Sequence, residues 1–213
     1  MASLTEKKRH AAKLHRRLIK KYPSVKCSLD FGNPIQLLVA TILSAQCTDK
    51  RVNIVTKDLF RRFRTAADFA LVSQEELEEA IRSTGFFRNK AQNIRECCRE
   101  LVENHKGKLP RDLETLVGLP GVGRKTANVV LGTAYGIASG VVVDTHVSRL
   151  SRRMGLTSEK NPTKIERELM AVLPREEWID FSHRLVRLGR EYCMARKPDC
   201  KACPVKDVCP KNL

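Results

Sequence analysis

Residues 113–134 read LETLVGLPGVGRKTANVVLGTA, and the fold is decided by how this stretch is read. Leu113, Leu116 and Val117 are spaced three and four apart, as are Ala127, Val130, Leu131 and Ala134. Each set marks one face of a short helix. Between them lies Leu119-Pro120-Gly121-Val122-Gly123-Arg124-Lys125, whose proline and two glycines turn the chain sharply. The stretch is therefore a helix-hairpin-helix. Its glycines remove the Cβ atoms that would hold a ligand away from the backbone. The second helix opens with unpaired N–H groups and a positive dipole end, which suits a phosphate. Leu119, Gly121, Val122, Gly123 and Arg124 are thus candidates to grip a nucleic-acid backbone without reading its sequence.

Lys125 falls in the first turn of that second helix. One reading makes it one more phosphate-binding lysine. The other is chemical: a positive helix end and nearby basic residues disfavour an ammonium there, as partial burial would. An amine kept partly neutral can attack C1′ of a sugar and form a Schiff base.

Composition narrows the choice of partner. The 213 residues carry a formal net charge of +16, and such an excess points to a polyanion, nucleic acid before membrane. No apolar run approaches the ~20 residues of a membrane span, and the N-terminus has no signal-peptide apolar segment. The expected location is a reducing one. There Cys27, Cys47, Cys97 and Cys98, set among apolar helical positions, act as small buried hydrophobes.

The rest of the chain is a series of helices. Residues 4–21 predict a basic helix with Thr5 as a cap, Leu14 and Leu18 inward, and an end near Pro23. Its charge either touches DNA or is simply solvated. Asn33-Pro34 starts a buried helix through Ile35, Leu38, Val39, Ile42 and Leu43. A polar cluster, Ser44 to Asp49, separates it from a helix capped by Thr48 or Asp49 that runs through Val52, Val55, Leu59, Phe60 and Phe63. In that cluster Gln46 is either a loop residue or a long amide able to enter a base stack. Ser73-Gln74-Glu75-Glu76 predicts a capping box for a helix that stops at Gly85. Of Phe86 and Phe87, one packs inward; the other is free to wedge into an opened duplex. Ile94, Cys97 or Cys98, Leu101 and Val102 give the next helix its inward face. Val141-Val142-Val143 reads as extended and buried, with Asp144 as the N-cap of the helix that follows. His146 reads as a structural histidine. Further helices start at Asn161-Pro162 and span about Glu176 to Tyr192 with Trp178, Phe181, Leu185 and Leu188 inward. The fold class is all-α.

Cys193, Cys200, Cys203 and Cys209 fall as C-x6-C-x2-C-x5-C. Four thiolates complete a first shell for zinc or for a [4Fe–4S] cluster, and the spacing alone leaves both open, with disulfides a third option. Arg196, Lys197, Lys201 and Lys206 would make the metal-held loop a basic finger.

Together LPGVGRKTANVVL, VDTHVSRL, LLVATILSAQCTD and the cysteine tail resemble the bacterial endonuclease III family, bifunctional DNA glycosylases of the helix-hairpin-helix superfamily. The likeness runs from about Lys20 to Cys209. It implies two helical domains: a six-helix barrel with the hairpin at 27–137, and a discontinuous domain of 1–26 and 138–213 with a [4Fe–4S] cluster. A DNA-binding groove would lie between them. It implies Lys125 as the Schiff-base lysine, Asp144 as the catalytic aspartate and the four tail cysteines as cluster ligands. Gln46 would fill the space left by a flipped base. Phe86 stands where the family often has leucine, a departure that bears on opposite-base preference.

The expected function is removal of oxidised or ring-saturated pyrimidines, such as thymine glycol, from duplex DNA, followed by β-elimination at the abasic site. The implied protein is a monomer in the bacterial cytoplasm, associated with the nucleoid. Two alternatives stand beside it. An adenine-specific glycosylase of the same superfamily would usually lack the hairpin lysine and carry a further domain, and Lys125 and the end at Leu213 speak against it. A non-catalytic, metal-stapled DNA-binding module would need the hairpin and the charge but neither Lys125 nor Asp144.

Overall fold

Side-chain caps set most of the helix starts. The computed structural model of the chain describes residues 3–212. Ser3 caps α1 (Leu4–Lys21): its hydroxyl accepts from the Glu6 amide while the Glu6 carboxylate accepts from the Ser3 amide. This reciprocal box places the cap at Ser3 and not at the expected Thr5, because Glu6 stands three residues after the serine. Asn33 caps α2 (Pro34–Leu43), and Thr48 caps α3 (Asp49–Arg62). Thr65 and Asp68 form a second reciprocal box that starts α4 (Ala66–Leu71). At six residues α4 is too short to show a helical period, and the hydrophobic pattern passes over it. Ser73 accepts from the Glu76 amide at the head of α5 (Gln74–Ile81), which runs into a 3-10 turn, Arg82–Thr84, and stops at Gly85. Each such cap contributes about 1 kcal/mol to its helix.

The longest helix is α6 (Phe87–His105). Asp112 caps α7 (Leu113–Gly118), and α8 (Arg124–Tyr135) completes the hairpin. Asp144 caps α9 (Thr145–Arg153), and Asn161 caps α10 (Pro162–Val172). A 3-10 turn, Arg175–Glu177, leads into α11 (Trp178–Glu191), so that helix begins two residues later than its apolar pattern indicated. Val141–Val143 is irregular, and no strand occurs among the described residues.

The chain divides into two compact units. One is the continuous segment Cys27–Ser139; the other joins the residues up to Lys26 with those from Gly140 onward. In the continuous unit α2 is buried on every side, which its nearly all-apolar sequence requires. Ala127, Val130 and Leu131 of α8 and Ala91, Ile94, Cys97, Cys98 and Leu101 of α6 belong to the same core. Burial pushes the Cys97 thiol up to about 12 and raises that of Cys98 as well. Cys27 and Cys47 are only partly buried. Val102 and Val117, expected to face inward, are exposed, since Leu101 and Leu116 already occupy the inward positions next to them.

The turn between α7 and α8 is locked from below. Leu119 and Val122 are buried, and the Val122 amide donates to the Leu119 carbonyl at 3.1 Å. Gly121 has φ of 72°, and a Cβ there would lie 2.6 Å from Cβ of Asn93 on α6. Conformation and space both demand glycine.

In the discontinuous unit, Ala11, Leu14 and Leu18 of α1 share a core with Leu150, Ile165, Leu169, Phe181 and Leu185. Buried Arg184 ties the N-terminal helix to α11. Its Nε donates to the Tyr22 carbonyl, Nη1 to Glu177 and Nη2 to Asp180. His15 Nε2 lies 3.2 Å from the Glu177 carboxylate. Burial depresses the His15 pKa below its ordinary 6.5, although Glu177 opposes the shift. Burial likewise lowers His183, opposed by Asp180 and Asp144.

Two outcomes follow from these contacts. Below a pH of about 6.5 the unfolded chain takes up protons that folded His15 and His183 resist, so their contribution to stability is complete above that pH and declines as pH falls. Urea unfolding should show a falling midpoint between about pH 7.5 and 5.5, and His15→Gln with His183→Gln should flatten that slope. Gly121→Ala should lower stability by more than about 1 kcal/mol, measured by thermal or urea unfolding.

Candidate active site and nucleic-acid interface

The hairpin presents backbone. Because Leu119 and Val122 point into the core, these two candidate contacts can offer a ligand their main-chain groups but not their side chains. Gly123 is the N-cap of α8 and supplies no side-chain acceptor. No side chain at the N-cap satisfies the first amides of α8, in contrast to those of α2, α3, α7, α9 and α10, and such a helix start suits an anion. Arg124 and Lys125 occupy the first turn of this helix, and both side chains are exposed. The partial burial considered for Lys125 is absent.

Asp144 belongs to the other unit and is committed on both oxygens. Oδ1 accepts from the Val147 amide at 2.8 Å, which is the cap of α9. Oδ2 lies 3.3 Å from Nδ1 of His146. The imidazole is wedged against α11, where a Cβ at Gly189 would come within 3.0 Å of its Cδ2. His146 is thus the structural histidine expected, and it braces the outer carboxylate oxygen. The side chain of Asp144 stays 21% exposed, so the carboxylate remains reachable from solvent.

Gln46 and Phe86 share an uncommon backbone. Both have left-handed φ, 52° and 48°, and both side chains are exposed, Phe86 at 63%. A non-glycine residue in that region costs about 1–2 kcal/mol, and such strain gathers at sites of function. Phe87 packs against the core and Phe86 does not, so one of the two aromatics packs inward as the sequence indicates. Gln46 follows the end of α2, and Phe86 is the N-cap of α6.

The sequence reading missed Lys90. It is 5% exposed, and its Nζ donates to the carbonyls of Leu43 at 2.8 Å and Thr84 at 2.9 Å. The ammonium satisfies an orphan carbonyl at the end of α2, where the helix dipole favours a cation. Burial holds its pKa below the usual lysine range, with Cys47 opposing. A signal existed: Lys90 falls in register with Ile94, Cys97, Cys98 and Leu101 on the inward face of α6.

The four tail cysteines line one pocket together with Arg153, Met154, Tyr192 and Val205. All four are free thiols, Cys203 buried and the others partly so. Burial raises Cys203 and Cys209, and the neighbouring sulfurs push in the same direction. A bound cation would reverse that cost. Arg153 at the end of α9 donates to the Cys193 sulfur at 3.5 Å and to the Met194 and Ala195 carbonyls. Arg149 donates to the Cys193 carbonyl at 3.0 Å. Among the described residues no three His, Cys, Asp or Glu side chains are drawn together tightly enough to hold a metal ion. The shared pocket, the free thiols and the cationic lining nonetheless fit an anionic thiolate-ligated group.

Residues 39–175 match the model of the HhH-GPD superfamily of base excision DNA repair proteins. Endonuclease III of Synechocystis sp. is 52% identical over 210 residues, 99% of this chain and 96% of that one. A non-covalent endonuclease III–DNA complex superposes with a TM-score of 0.90 at 44% identity, covering 99% of this chain and 97% of that one. A trapped endonuclease III–DNA covalent intermediate, an estranged-adenine complex, also gives 0.90, at 43% identity and the same coverage. An all-helical chain with a glycine-started hairpin helix, matched over nearly its whole length, belongs to the endonuclease III family of the HhH-GPD superfamily.

Proposed function

We propose that Lys125 is the nucleophile, and Asp144 the assisting carboxylate, of a DNA glycosylase with abasic-site lyase activity. As a member of the endonuclease III family, the protein is a base-excision repair enzyme that removes oxidised pyrimidines from damaged duplex DNA. The observation that carries the residue assignment is the exposed amine of Lys125 in the first turn of a helix that starts on glycine. A phosphate held at the positive end of that helix fixes the strand beside the amine. The trapped covalent complex of a relative agrees with chemistry that passes through an enzyme–DNA bond.

The target base is reached by flipping it from the stack. The Lys125 nitrogen donates its lone pair to C1′ as the glycosidic bond breaks, and the base departs with the bonding electrons and takes a proton. Asp144 stabilises positive charge on the sugar and takes a proton from the attacking amine. Opening of the sugar ring gives an iminium between Nζ and C1′. That iminium acidifies the C2′ proton, whose loss expels the 3′ phosphate and cuts the strand. Water then hydrolyses the Schiff base and returns the amine.

We infer further that Cys193, Cys200, Cys203 and Cys209 hold a [4Fe–4S] cluster. Bound there, it would neutralise the crowded thiols and staple the basic tail loop to the end of α9. No helix among the described residues is long and apolar enough to cross a membrane, and the reading implies an enzyme acting in the bacterial cytoplasm.

Borohydride should trap the wild-type protein on abasic or thymine-glycol DNA, and Lys125→Gln should give no adduct; an adduct formed normally by that variant rules out the assignment. Asparagine caps a helix as well as aspartate does. Asp144→Asn should therefore keep its fold and DNA affinity while base release slows by about a hundredfold or more, and unchanged turnover removes the catalytic role. Purified protein should be brown and contain iron and sulfide. A colourless, zinc-loaded, active protein excludes the cluster.

A further inference from the structure

Gln46 and Phe86 are far apart in sequence, yet the strands of loop that carry them are fastened to one buried atom. Leu43 ends α2, and the Ser44–Cys47 turn follows, with the Cys47 amide donating to the Ser44 carbonyl. Thr84 is buried and ends the 3-10 turn, and its hydroxyl donates to the Ile81 carbonyl. Gly85 and Phe86 then take left-handed φ before α6 begins. Lys90 Nζ donates to the last carbonyl of the first segment and to the last carbonyl of the second. The Ser44 hydroxyl donates to the Thr41 carbonyl within the first turn, and Phe86 at the head of α6 has no side-chain cap.

We infer that Lys90 is a positioning residue for duplex opening: its ammonium fixes the loop of Gln46 and the loop of Phe86 as one rigid pair of prongs. The inference rests on the reading of those two residues as the groups that enter the base stack. A wedge transmits force only if its base does not yield. Two strained loops joined through a single ammonium keep their separation, and they hold both left-handed residues in place before DNA arrives. Lys90 is buried, so it acts through the prongs and not on DNA itself. Its loss should slow reactions that require a paired base to be extruded and spare those in which opening is already done.

The test compares, in single turnover, base release from a thymine glycol fully paired with its surroundings and from the same lesion between flanking mismatches, and strand cleavage at a preformed abasic site. Lys90→Met should be about tenfold or more slower on the paired lesion. It should match wild type on the pre-opened lesion and at the abasic site. Lys90→Gln, which keeps a donor, should fall between the two. If Lys90→Met does not fold, as judged by circular dichroism and thermal melting, Lys90→Gln supplies the same comparison. The double variant Gln46→Ala/Phe86→Ala should also be slow on the paired lesion, and adding Lys90→Met to it should cost nothing more. Equal slowing on all three duplexes, or a full further loss in the triple variant, overturns the role of Lys90. A double variant that works at wild-type speed on the paired lesion instead overturns the reading of the two prongs, and the role of Lys90 with it.

Discussion

A helix that begins on glycine has no side chain to satisfy its first amides, and α8 begins on glycine. Most other helix starts in the chain carry serine, threonine, asparagine or aspartate, the starts of α6 and α11 apart, and Gly123 supplies no such acceptor. Unpaired amides at a helix mouth need an acceptor, and an anion is the natural one. The surrounding turn is built to keep that mouth open: Leu119 and Val122 are sunk into the core, and Gly121 is pressed against Asn93. Lys125 then stands where a phosphate-bearing strand would be held. The proposed binding and the proposed chemistry are thus requirements on the same few backbone atoms.

Asp144 shows the opposite economy. The α9 start is satisfied by the same carboxylate that the proposed mechanism needs, with one oxygen for the Val147 amide and the other braced by His146. A cap side chain is fixed in direction by the helix it serves, so a group recruited from that position arrives already oriented. The position of His146 depends in turn on the missing side chain of Gly189.

What could be read from the residues was local. Asn33-Pro34, Thr48, Ser73, Asp144 and Asn161 announce helix starts within three or four positions, and the Pro-Gly-Val-Gly turn announces the hairpin. The hairpin turn and the aspartate cap were legible because each is written in neighbouring letters. Ser3 and α4 were passed over because a cap residue and a six-residue helix leave almost no periodic trace. The orientation of α6 and α7, which leaves Val102 and Val117 exposed, is a matter of packing between distant segments. Lys90 is the plainest case. A lysine reads as surface, and only contact with Leu43, 47 residues away in the chain, turns it into an interior brace.

The interleaving of the units has a consequence for synthesis. The residues from Cys27 to Ser139 form a unit whose parts emerge from the ribosome one after another. The first helix cannot do the same: its own His15 and its C-cap Tyr22 wait for Arg184 and Glu177, which are translated more than 150 residues later. The hairpin half can therefore be complete while the segment that holds Asp144 and the cysteines is still being made. A nascent chain stalled in that window would carry the helix mouth that suits a phosphate but not the carboxylate proposed to release a base.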